Sequence, residues 1–131
     1  MLKHLALGVA LVSLAVPAAL AGDAGYVPPR TILQQADVPG SNYTVIMAVT
    51  EIAPNMTAAR HTHPGIEVSW MLEGAADFVI QGLGTKHIKA GDNFRLESGV
   101  PHSVINGPAT TKILAIYTIP KGAALSTPAP E

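Results

Sequence analysis

His61 and His63 are separated by a single residue, and Glu67 follows four positions after His63. Residues two apart on an extended strand point to the same face. The spacing therefore sets two imidazoles side by side. If Pro64-Gly65 only bends the strand, the Glu67 carboxyl returns to that side. His102, in Gly99-Val100-Pro101-His102, is a further candidate much later in the chain. Two or three imidazoles with one carboxylate suit one divalent first-row transition metal, and ligand type does not choose among Mn, Fe, Co, Ni, Cu and Zn. Such a set leaves one or two coordination positions for water, oxygen or a chelating substrate. A loosely held Glu67 would also serve as a catalytic base.

The neighbours of these residues divide by phase. Ser69 stays in step with Glu67 and offers a hydroxyl beside it. Arg60 is out of step with the two histidines, and alternation reads it as surface charge. Arg95 reads the same way. His87 lies between Lys86-His87-Ile88-Lys89, a solvated strand face. Tyr43, Met47, Met71, Phe78, Phe94 and Tyr117 are candidates for pocket walls, although strand apolar residues are more commonly plain core.

These groups have to be carried by strands. Thr31–Gln35 is a short strand candidate, closed by the turn Val38-Pro39-Gly40-Ser41. Tyr43–Ile52 is a long β-branched run, apolar on both faces, as in a strand covered on two sides. From Glu67 to Leu72 the sequence alternates, and with Glu67 inward, Trp70 faces outward. A large outward aromatic needs cover from the N-terminal arm or from a second subunit. Gly82-Leu83-Gly84 is a hairpin loop, and Ile113–Ile119 is the last strand. Short strands with closely spaced turns and no convincing helix past the leader predict an all-β sandwich or barrel.

The ends and the composition bound the function. Met1-Leu2-Lys3-His4, the apolar Leu5–Val16 and Ala19-Leu20-Ala21 have the form of a cleaved export signal over residues 1–21. The apolar run is short for a membrane span, so no stable membrane anchor is expected. The chain is therefore expected to be exported, periplasmic or secreted. Taking the leader from the 131 residues leaves 110, with seven Lys and Arg against nine Asp and Glu. That is one domain without a basic run, which argues against nucleic acid as a partner. The absence of cysteine excludes disulfides, thiolate ligands and a cysteine nucleophile. Residues 22–43 read as an arm with a first strand, 44–120 as the barrel and 121–131 as a mobile tail.

Two further patterns sharpen this reading. Asn55, His61, His63, Glu67 and Gly74 stand at the spacing of the first cupin motif, and Gly91, Gly99, His102 and Asn106 at that of the second. The span from Thr44 to Pro120 thus resembles a single-domain cupin, of the small quercetin-dioxygenase-like kind. Asn55 stands where the family has Gly, and Asn is the other residue that tolerates positive φ well. Glu97 stands where the second motif has Pro, which removes no ligand. The resemblance implies a small jelly-roll barrel, with His61, His63, Glu67 and His102 as metal ligands. It implies a metal-dependent dioxygenase acting on an enol, catechol or flavonol-like chelator. Alternatives are an isomerase or lyase of small acids and a non-catalytic module that binds metal or a small ligand. A homodimer is the expected assembly.

Overall fold

The computed structural model describes residues 25–130. The expected leader, residues 1–21, lies outside them, as do residues 22–24 and 131. The chain forms β1 (Arg30–Asp37), β2 (Tyr43–Ile52), β3 (Thr57–Thr62), β4 (Ile66–Glu73) and β5 (Ala75–Ile80). It continues with β6 (Gly84–Lys89), β7 (Asn93–Leu96), β8 (His102–Asn106), β9 (Thr111–Pro120) and β10 (Thr127–Pro128). Two five-stranded antiparallel sheets, β1-β2-β9-β4-β7 and β10-β3-β8-β5-β6, make the expected all-β jelly roll.

Alternation builds the interior. β2 buries Thr44, Ile46, Ala48, Thr50 and Ile52, and β9 buries Thr111, Ile113, Ala115, Tyr117 and Ile119. The two strands pair along their full length, so these side chains line one continuous wall. Met71, Phe78, Leu96 and Val104 fill one end of the interior, where the Phe78 and Phe94 rings lie 4.5 Å apart. The residues between them in β2, among them Val45, Met47 and Val49, are only half-buried on the outer face. The strand expected to be covered on both sides is thus covered on one side within this chain.

Asn106, at the end of β8, fastens that end of the barrel. The two N–H donors of its amide Nδ2 are shared among the carbonyls of Ile52, Ala53 and Ala109, and its Oδ1 accepts from the Thr111 hydroxyl at 2.6 Å. A buried amide that satisfies four partners costs little to bury and fixes where β8 ends. Asn55 has φ 59°, the left-handed conformation expected of it.

Three expectations need correction. The barrel does not begin at residue 44, because β1 is an edge strand of the first sheet and pairs with β2 over Arg30–Asp37. The closing stretch is tied down. Thr127 and Pro128 pair with Thr62 and His61, and the Ala129 N–H donates to the Arg60 carbonyl at 3.0 Å. Its lack of periodicity reflects a strand of two residues, too short to show a pattern. Finally, Pro64-Gly65 does more than bend a strand, since β3 and β4 belong to opposite sheets. A Cβ at Gly65 would collide with the Thr118 carbonyl of β9. Glycine lets the chain pass that close as it crosses between sheets.

Candidate metal centre

The crossing at Pro64-Gly65 is what brings the carboxyl to the histidines. His61 and His63 hang from the end of β3 in one sheet, while Glu67 rises from β4 in the other. Directly across from His61 in the strand pairing is His102, the first residue of β8. The three imidazole rings lie with centroids 4.3 to 5.2 Å apart, and one ring nitrogen from each falls within 4.8 Å of the other two. That is close enough to hold one ion. His63, Glu67 and His102 are buried, while His61 is half-buried.

Backbone carbonyls orient all three rings. The Nδ1 of His61 meets the Ala59 carbonyl at 2.7 Å, that of His63 meets the Leu125 carbonyl at 2.6 Å, and that of His102 meets the Val100 carbonyl at 3.0 Å. A carbonyl only accepts, so each Nδ1 must carry the proton and donate. Each ring thereby turns its Nε2 toward the common centre, the nitrogen through which an imidazole with its proton on Nδ1 binds a metal. The electrostatics favour the neutral form too. Burial, helped by the neighbouring His102, lowers the His61 pKa to about 4. Burial also pushes His102 below its ordinary value.

Glu67 stands against this cluster. Its Oε2 is 3.2 Å from His63 Nε2, and its Oε1 accepts from the Ser69 hydroxyl at 2.6 Å. Burial pushes its carboxyl up, but His63, Ser69 and His102 together outweigh burial and hold it below its usual value. A carboxylate oxygen and an imidazole lone pair would repel one another at that distance. Either a proton or a cation has to lie between them, and a metal ion satisfies both groups together. The donor set fits such an ion: three imidazoles held by their Nδ1 atoms, and a carboxylate whose other oxygen is already hydrogen-bonded.

The family pattern for the cupin domain matches residues 48–117. The chain belongs to that family. No curated protein matches the chain. Solved structures with the same fold include three cupin-type barrels. One is an uncharacterised conserved protein with a double-stranded β-helix domain from Klebsiella pneumoniae (TM-score 0.62, 23% identity, 80% of this chain and 86% of that one). The second is the DMSP lyase DddQ from Ruegeria pomeroyi (TM-score 0.65, 20% identity, 80% of this chain and 54% of that one). The third is the oxalate decarboxylase of Lactobacillus farciminis (TM-score 0.57, 21% identity, 64% of this chain and 26% of that one). The present cupin thus spans about half of the lyase chain and a quarter of the decarboxylase chain.

The other residues singled out from this cupin's sequence fall on both sides of the site. Ser69 touches Glu67 as its phase implied. Tyr117 lies directly across from Glu67 in the strand pairing, with its ring 4.8 Å from that of His63. Phe78 reaches the cavity wall, while Met71 and Phe94 stay in the core. Tyr43 is exposed, and Met47 is on the outer face. His87 is exposed and paired with Asp77, as its lysine neighbours implied. Arg95 pairs with Glu97 at the surface.

Arg60 departs from the alternation argument. The register slips between Ala58 and His61, so Arg60 and His61 border one cleft in spite of being adjacent. Arg60 is held there by the Gln81 side chain and the Pro130 carbonyl. Three contributors were not singled out from the sequence. Leu125 orients His63 through its backbone carbonyl, which no side-chain pattern records. Arg30 and Thr50 line the inner cavity together with the histidines. Arg30 was assigned to an arm because Pro28-Pro29 masks the start of β1. The alternation of β2 alone could have flagged Thr50 as inward.

Proposed function

We propose that this cupin is an exported metal-dependent enzyme of the dioxygenase type, acting on a small substrate that chelates through oxygen. His61, His63, His102 and Glu67 would hold one divalent transition metal. Bound there, such an ion supplies Lewis acidity and a place to bring oxygen beside the substrate. The observation that carries the reading is the fixing of three Nε2 lone pairs by three backbone carbonyls at the wall of an open cavity. Structural metal sites are closed, whereas this one adjoins an inner space of about 30 Å³, enough for roughly one ordered water-sized group. Beyond it, next to His61, lies a cleft of about 250 Å³ bordered by Tyr26, Val27, Pro28 and Pro128. Glu67, hydrogen-bonded by Ser69, is the group able to take a proton from a bound substrate.

The working unit we propose is a homodimer. Ile66, Val68, Trp70 and Leu72 are 43 to 50% exposed along one side of β4. With Leu114 and Ile116 of the adjoining β9 they make an apolar sheet face of the sort that a second copy covers. Trp70→Ala should weaken the dimer, and a monomeric mass for the wild type would reject it.

Elemental analysis followed by oxygen uptake with catechol and flavonol substrates tests the enzymatic reading. Uptake that requires the bound metal is the expected result. Full metal occupancy without oxygen uptake would turn the assignment to the second reading, a lyase or isomerase of small acids. Arg30 on the cavity wall is the observation that favours that alternative.

A further inference from the structure

Arg30 is an unusual residue to find facing a metal cavity. It is the first residue of β1, directly across from Thr50 of β2, and Thr50 points inward. Its Nε donates to the Thr50 hydroxyl at 3.2 Å, and its guanidinium carbon lies 5.4 Å from the centre of the Tyr117 ring. Tyr117 carries the connection onward, because its ring also abuts that of His63. Among the described residues no carboxylate forms an ion pair with Arg30. Arg95, Lys112 and Lys121 each have an acidic partner, whereas Arg60, Lys86 and Lys89, like Arg30, form no ion pair among the described residues; Arg30 differs from them in lining the inner cavity. Arg30 also borders both the inner cavity and the outer cleft, and so stands where a ligand passes from one to the other.

Charge counting indicates what it waits for. A divalent ion, the Glu67 carboxylate and the Arg30 guanidinium together sum to two positive charges. Such an excess in a partly enclosed space is costly unless an anion balances it. A guanidinium is also a planar fork matched to a carboxylate, and its Nη donors are not committed to Thr50. The Tyr117 ring lies beside the fork, its centre 5.4 Å from the guanidinium carbon, and its hydroxyl is a further donor available to a carboxylate. The outer cleft adds apolar contacts from Tyr26, Val27, Pro28 and Pro128.

We propose that Arg30, backed by Thr50 and Tyr117, is a carboxylate-binding residue, and that the natural ligand is a hydroxy- or oxo-carboxylic acid with a small apolar body. This rests on the metal-centre reading and narrows it, from oxygen chelators in general to those that carry a carboxylate. The oxygen that chelates enters the inner cavity, the carboxylate meets the fork, and the remainder occupies the cleft.

The test uses cobalt(II)-loaded protein titrated with 2-hydroxyisobutyrate and, separately, with maltol, a chelator without a carboxylate. Binding is read from the cobalt absorption. Arg30→Gln should keep its full cobalt content, bind 2-hydroxyisobutyrate roughly tenfold to a hundredfold more weakly, and bind maltol as the wild type does. Arg30→Lys keeps the charge without the fork. It should fall between the two, and it carries the test if the glutamine variant does not fold. Full cobalt content with unchanged 2-hydroxyisobutyrate affinity in either variant overturns the role of Arg30 and leaves the metal centre intact. A wild type that takes up no cobalt overturns the metal centre itself.

Discussion

Glu67→Gln separates two roles for the carboxylate that the geometry places side by side. The substitution keeps the volume and removes the charge. If Glu67 is only an outer partner of His63, its loss should weaken metal binding by about 10- to 100-fold, the usual cost of an outer-shell change. If it is a ligand, the loss should exceed about 100-fold. The consequence for stability follows from linkage. With free metal at about 100 times the wild-type Kd, binding adds about 2.7 kcal/mol to wild-type stability. A variant whose Kd is about 100-fold weaker gains about 0.4 kcal/mol under the same conditions. For a domain of this size, at about 4 °C per kcal/mol, metal should raise the wild-type Tm by about 10 °C and that of the variant by under about 2 °C. Without metal a proton joins His63 and Glu67 across 3.2 Å, and replacing the carboxylate by the neutral amide should leave the variant the less stable of the two. Thermal melts of both proteins, with and without zinc, together with calorimetric titration, measure all four quantities. A variant Kd within about 100-fold of wild type would refute Glu67 as a ligand, and one within about tenfold would refute the outer role as well.

Three further outcomes are expected. Ending the chain after Gly122 removes the Leu125 carbonyl that orients His63. Metal affinity should drop about 10- to 100-fold, and a change below twofold in a calorimetric titration would refute this. Asn106→Ala strips three carbonyls and the Thr111 hydroxyl of their partner. It should cost about 2–4 kcal/mol in urea unfolding, and a loss below 1 kcal/mol would contradict the fastening role. The metal-free protein should also lose stability in acid. His61 has a folded pKa of about 4 against 6.5 when unfolded, so the unfolded chain binds more protons as pH falls through that window. Between pH 7 and pH 5 this removes about 2 kcal/mol at most, because part of the ring meets solvent, and His102 acts in the same direction. Stability that stays flat over that interval would count against burial of neutral imidazoles.

The candidate metal ligands of this chain were legible in its letters, because side-chain identity and short spacing are local properties. His61 and His63 on one strand end, an inward Ser69 in phase with Glu67 and the strand-and-turn rhythm of an all-β sandwich or barrel follow from alternation and turn preference, while the jelly roll and the positive φ of Asn55 came with the cupin resemblance. Tertiary structure decided what depends on distance across the barrel. Glu67 meets the histidines because the chain changes sheets at Gly65, which even spacing along one strand would not have produced. A register slip puts Arg60 on the cleft against its phase. The Leu125 carbonyl reaches His63 across 62 residues of chain, and Arg30 enters the cavity through its pairing with Thr50. Backbone groups and long-range strand register leave no mark on local sequence pattern, so only the closed barrel could reveal them.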